Sequence, residues 1–145
     1  MWVKHVSNAD VVKLIYNDRD PSLEDVCYFG IKLAPGEDLK MYLDIDIQDW
    51  PDDIPYNWQA DESEHSFVTI HLELNKVSVN SSDLNYLLKD HGNFFHEFHC
   101  SIALDKDENG IGQLIIKDEN KNPVLDLNFD TVALSEIFSY DIYED

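Results

Sequence analysis

The run richest in metal-binding side chains is His96-Glu97-Phe98-His99-Cys100. Imidazole, thiolate and carboxylate are the donors that zinc prefers, but the spacing is not HExxH, and on a strand His96 and His99 point to opposite faces. A zinc ion there needs distant help from His65, His71 or His91, so these residues are read as exposed or hydrogen-bonded strand histidines. The run Asp105-Lys106-Asp107-Glu108-Asn109-Gly110 opens like a calcium loop, with oxygens at alternate positions before a glycine. The match ends there, because the twelfth position is Ile116 instead of a bidentate glutamate. An Asp/Asn/Gly-rich hairpin turn needs no ion; a weak calcium site would draw on Asp105, Asp107 and Asn109. Serine-nucleophile, phosphate-loop and dinucleotide-loop motifs are absent. With 30 acids in the chain, no single carboxylate pair stands out for acid–base chemistry. The expectation is a protein that is not an enzyme and carries no cofactor and no metal.

Binding chemistry is better represented. From Met41 to Asn75 the chain has no lysine or arginine but carries Asp44, Asp46, Asp49, Asp52, Asp53, Asp61, Glu62, Glu64 and Glu73. Among these acids stand Trp50, Tyr56 and Trp58, large amphipathic side chains of the kind that anchor interfaces. Charge steers association and buried aromatics hold the complex. The candidate partner surface is therefore Tyr42, Asp44, Asp46, Asp49, Trp50, Asp52, Asp53, Tyr56, Trp58, Asp61, Glu62 and Glu64. The bland alternative is a solvated acidic face with the tryptophans folded back as lids on the core.

The whole chain has the same bias. Its formal charge of −20 and pI near 4.3 repel phosphate backbones and favour cationic partners, which argues against nucleic acid. No apolar run reaches membrane-spanning length and no signal-peptide pattern opens the chain, so a cytoplasmic location without membrane attachment is expected. Cys27 and Cys100 are too few and too far apart for a disulfide scaffold, and are read as core thiols. At 145 residues with 43% hydrophobic content, the chain suits a single domain, 1–145, with a real core.

The elements that must position these residues are mostly strands. Ser7 to Tyr16 reads as a short helix, capped by Ser7 or Asn8, with Val11, Val12, Leu14 and Ile15 as its apolar face. From Asp25 the period becomes two. Cys27, Phe29, Ile31 and Leu33 alternate before an Ala34–Asp38 turn, and Leu39, Met41, Leu43, Ile45 and Ile47 alternate after it, which places Asp44 and Asp46 on the solvent face beside Tyr42. Trp50 to Glu64, with Pro51 and Pro55, reads as a long exposed loop. Further strands are expected at Phe67–Leu74, Phe94–Leu104, Gly112–Lys117 and Val124–Phe129. A helical turn over Leu84–Lys89 is capped from Asn80–Asp83 and closed by Gly92. Thr131 to Tyr143 reads as one bent or two short edge strands. These elements predict a mainly β fold, an antiparallel sandwich or strongly curved sheet of about seven strands with one or two short helices, with α+β as the alternative.

The strand pair Asp25–Leu33 and Leu39–Ile47, the strand Val68–Leu74, and the ending in which Leu125-Asp126-Leu127-Asn128-Phe129 precedes a last strand near Ser135–Tyr143 resemble the immunity protein 50 family of bacterial toxin antidotes. The resemblance covers most of the chain after Asp25 and is one of pattern and composition. It implies a non-enzymatic immunity protein of a polymorphic toxin system that binds a cognate toxin; the acidic, aromatic face then suggests a toxin with a basic surface, such as a nuclease. The resemblance fixes no site residue. The alternatives are a β-sandwich module that stacks a small ligand or glycan on Trp50, Tyr56 and Trp58 or binds calcium, and a zinc hydrolase built on His96–Cys100.

Overall fold

The structure, a computed structural model, describes residues 1–58, 66–87 and 100–141. Among these residues nine strands form two sheets. The first sheet contains β1 (Val6–Ser7), β2 (Val26–Ala34), β3 (Lys40–Ile47), β4 (Ser66–Asn75) and β9 (Thr131–Asp141), in the order β1-β9-β4-β3-β2. The second contains β5 (Ser78–Ser82), β6 (Ser101–Lys106), β7 (Gly112–Lys117) and β8 (Pro123–Phe129), in the order β5-β8-β7-β6. A 3₁₀ turn (Val3–His5) and two short helices, α1 (Asp10–Ile15) and α2 (Leu84–Leu87), complete the described elements. The fold is the expected mainly β, sandwich-like arrangement.

Alternation builds the core. Met41, Leu43, Ile45 and Ile47 pair with Leu74, Leu72, Ile70 and Val68 across β3 and β4, and all eight are at most 1% exposed. Because both strands alternate with period two, pairing in this register puts every apolar member on one face. Leu114, Ile116, Leu125 and Leu127 form the matching inner face of the second sheet and belong to the same hydrophobic cluster. The sheets are joined at one side where β4 runs on into β5 and β8 into β9, a corner held by Asp130 N–H donating to the Asn75 carbonyl at 3.0 Å. On the other side Val26 and Cys100 exchange backbone hydrogen bonds of 2.8 and 3.2 Å.

One expectation is sharpened and two need correction. Thr131–Asp141 is the single bent strand of the two options; it pairs along its length with β4, and its start, Val132 and Ala133, is covered by β1, so it is an edge only beyond that short pairing. Its bend is a bulge at Ser135, where His71 faces Glu136 but Leu72 faces Leu134. The inward set therefore changes phase from Val132 and Leu134 to Ile137 and Ser139, which a simple alternation reads as two pieces. The first helix begins at Asp10, entered through Asn8 at φ 63° and Ala9 with no side-chain cap. Of its supposed apolar face only Val12 is buried, while Val11 and Leu14 are exposed. The predicted cap of the second helix is present, as Asp83 Oδ1 accepts from Tyr86 N–H at 3.1 Å. Lys89, Gly92 and the Phe94–His99 part of the expected strand lie outside the described residues.

Candidate binding surface

The acidic belt divides into residues that serve the fold and residues that face outward. Asp46 belongs to the first group, against expectation. Register places it, as the alternation predicts, on the sheet face away from the core, opposite Tyr28 and Thr69. That part of the face is not open to solvent: Asp46 is 4% exposed and accepts hydrogen bonds from Thr69 Oγ1 and Tyr140 Oη, both at 2.6 Å. Tyr140 itself stands beside Phe67 and Phe138, with ring centroids 5.9 and 6.4 Å away. Burial pushes the Asp46 carboxyl above the usual range, although both hydroxyls oppose it. The same burial, aided by Asp46, drives the Tyr140 phenol far upward.

Asp49 and Trp50 are also fastened down. Tyr16 Oη donates to the Asp49 carbonyl at 2.7 Å, and Arg19 donates to Asp49 Oδ2 and to the Trp50 carbonyl, both at 2.8 Å. Ser22 N–H adds a second donor to Asp49 Oδ2 at 2.7 Å. The Arg19 guanidinium also lies 4.9 Å over the Tyr16 ring, a cation–π contact. Trp50 is 7% exposed and meets Trp58 edge-on, with centroids 6.2 Å apart and planes at 62°. Trp50 is thus a core lid and Trp58 a half-buried buttress, and the pair offers no flat stacking platform.

The outward group is smaller. Asp52, Asp53 and Tyr56 are exposed in the loop after β3, and Tyr56 is entirely so. Tyr42 and Asp44 are exposed on the outer face of β3. Asp61, Glu62 and Glu64 lie outside the described residues. Strand pairing adds residues that lie outside the expected partner surface. His71 stands between Asp44 at 3.5 Å and Glu136 at 3.9 Å and packs edge-on against Phe138 at 5.2 Å. Glu73 lies opposite Tyr42 and is paired to Lys40 at 2.7 Å. Glu136 and Phe138 reach this face only because β9 docks beside β4, a long-range pairing that the alternation in Thr131–Tyr143 could not name.

A second feature lies where β2 begins and β3 ends. Ser22, Asp25, Cys27, Gln48 and Asp49 line a half-open cleft of about 360 Å³. Burial, then the charges of Asp46 and Asp25, pushes the Cys27 thiol up to about 11, which keeps it protonated and poorly nucleophilic. Cys100 is buried and pushed up to about 12 by the same desolvation. Both cysteines are free thiols.

The supposed calcium loop is a hydrogen-bonded turn. Asp107 Oδ1 accepts from the N–H groups of Asn109 and Ile111, each at 2.9 Å, so its carboxylate closes the hairpin itself. Asp105 Oδ1 accepts from Lys106 N–H at 2.8 Å and faces His5 Nε2 at 2.9 Å, contacts that hold its carboxyl below the usual range. Asp118 repeats the Asp107 arrangement with Asn120 and Asn122, again at 2.9 Å each. No group of three or more histidine, cysteine or acidic side chains is arranged to hold a metal among the described residues. His65, His91 and His96–His99 lie outside them. No helix among them is long and apolar enough to cross a membrane.

The chain matches no protein-family model, no curated protein and no solved structure.

Proposed function

We propose that this chain is a non-catalytic binding protein of the immunity type, which neutralises a cognate toxin by covering a basic surface such as a nuclease's substrate cleft. The observation that carries this reading is the exposed set Tyr42, Asp44, Asp52, Asp53, Tyr56 and Glu136, carboxylates interleaved with aromatics on a protein of net charge −20. The field of such a protein draws a cationic partner in, and exposed tyrosines supply contact area at little entropic cost. A rigid strand face would steer while the loop after it grips. The resemblance to toxin antidotes points to the same class of partner and to a cytoplasmic site of action.

The test begins with the gene beside this one, which should encode a toxin with a separable C-terminal domain. Purified, that domain should bind this chain 1:1, with an association rate that falls as salt rises. Asp52→Asn with Asp53→Asn, or Tyr56→Ala, should weaken the complex without unfolding the chain. Absence of a toxin gene, or affinity unchanged in all these variants, overturns the reading.

A further inference from the structure

The two hairpin turns of the second sheet share one hydrogen-bond plan and differ at one chemically decisive position. Between β6 and β7, Asp107 N–H donates to the Ile111 carbonyl and Gly110 N–H to the Asp107 carbonyl, each at 3.0 Å, while Asp107 Oδ1 accepts from Asn109 and Ile111 at 2.9 Å. Between β7 and β8, Asp118, Asn120, Lys121 and Asn122 repeat these four bonds at 2.9 Å each. Both turns expose an asparagine at the same point, Asn109 in one and Asn120 in the other. Gly110 follows the first and Lys121 the second.

We propose that Asn109 is a site of spontaneous modification, at which the folded chain converts asparagine to isoaspartate and aspartate. The Gly110 backbone nitrogen attacks Asn109 Cγ: the N–Cγ bond forms, the Cγ–Nδ2 bond breaks, and ammonia leaves with the proton that the attacking nitrogen gives up. Water then opens the resulting cyclic succinimide at either carbonyl, giving aspartate or isoaspartate. Ring closure turns the backbone between the two residues through conformations that a side chain on the second hinders and glycine does not. At Gly110 nothing stands within 4 Å of the point where a Cβ would lie. No other asparagine in the chain precedes glycine. Asn75, Asn80 and Asn128 commit their side-chain amides to hydrogen bonds, and Asn122 precedes Pro123, whose nitrogen has no proton to give.

The main product changes the turn itself. Isoaspartate adds one methylene to the backbone between residues 109 and 110, inside the segment that Asp107 Oδ1 closes by accepting from Asn109 and Ile111. The lengthened segment cannot keep both bonds in their present geometry, and it carries a new carboxylate beside Asp107 and Glu108. The β6–β7 turn therefore loosens with age while its β7–β8 counterpart keeps its form.

The experiment holds the full chain in mildly alkaline buffer at body temperature, alongside a sample in denaturant, and maps peptides by mass spectrometry after chromatography that separates isoaspartate from aspartate. In the folded sample the peptide containing Asn109 should gain the mass of an amide-to-acid change, mostly as isoaspartate, while the peptide containing Asn120 stays unchanged. Gly110→Lys should slow the conversion about tenfold or more, a barrier about 1.4 kcal/mol higher. Lys121→Gly should confer the conversion on Asn120. In the aged protein the Ile111 amide should exchange with solvent faster. Equal conversion at Asn109 and Asn120, or an Asn109 that converts in denaturant but not in the folded chain, would overturn the site. Conversion with Ile111 exchange unchanged would overturn its effect on the turn.

Discussion

The phenol of Tyr140 donates to the carboxylate of Asp46 at 2.6 Å, joining two residues 94 positions apart. The contact ties the last strand of the first sheet to β3 across the intervening β4, whose Thr69 supplies the second hydroxyl. A carboxylate in such a place is stabilised by two donors and penalised by desolvation, and desolvation is the larger effect.

The sign of the resulting pH dependence follows from that balance. The folded state raises the Asp46 pKa, so its contribution to stability is present in full below the unfolded value, near 4, and is lost as pH rises through the folded value. Asp46→Asn, which keeps an acceptor and cannot ionise, should gain on the wild type as pH rises from about 4 to 7. Asp46→Ala should lose about 1–3 kcal/mol, because the buried Thr69 hydroxyl and the half-buried Tyr140 phenol lose their acceptor. Denaturant unfolding at several pH values checks both, and an Asp46→Asn difference independent of pH would reject the account.

Trp50 and Tyr56 are close in sequence and opposite in role. Trp50→Ala should cost about 3–5 kcal/mol, since it empties a buried site against Trp58. Tyr56→Ala, at a fully exposed side chain, should change stability by no more than about 0.5 kcal/mol. Thermal unfolding of the two variants separates the lid from the interface residue.

Gly112 pairs with Phe129, and a Cβ at Gly112 would meet the Phe129 ring at 2.3–2.6 Å. Real side chains do not approach so closely, so the ring or the strand must move. Gly112→Ala should destabilise the second sheet by about 1–3 kcal/mol, and Phe129→Leu in the same chain should recover part of the loss. Additive costs in the double variant would show that the two positions do not clash.

The hairpin turns at Asp107–Ile111 and Asp118–Asn122 share one hydrogen-bond plan, but the left-handed position is Gly110 at φ 79° in the first and Lys121 at φ 65° in the second. A side chain at positive φ is strained, whereas glycine is not. Lys121→Gly should therefore raise stability by about 0.5–1 kcal/mol, as read from the unfolding midpoint.

The core of the molecule was legible because its signal is local. Leu43, Ile45, Ile70, Leu72 and Leu127 alternate with polar neighbours, and each is buried where the alternation places it. Facing was legible too, but solvation was not: Asp46 points away from the core as expected and is nevertheless enclosed by Thr69 and Tyr140. No rule applied to residues 40–48 reveals that a strand beginning at Thr131 will lie across β4 and bring a phenol. The bulge at Ser135 hid that strand further by shifting its inward set from Leu134 to Ile137. The short helix misled for the opposite reason, since four apolar residues at helical spacing suggested one buried face while only Val12 lies fully inside. For the candidate surface, composition pointed to acids and aromatics, but it could not tell Asp49, held by Arg19 and Ser22, from Asp52, which is exposed. The cleft drew on Ser22 and Asp25, which no acidic run contains.

The pairing of β9 along β4 has a consequence for how the chain is made. Until residues 131–141 leave the ribosome, β4 presents an unpaired edge along its length, and that edge carries Phe67, Val68, Ile70 and Leu72. Such an edge invites pairing with other chains. The first sheet is therefore completed only once Thr131–Asp141 has been made, and chains stalled or clipped before Thr131 should aggregate rather than accumulate as a smaller folded form.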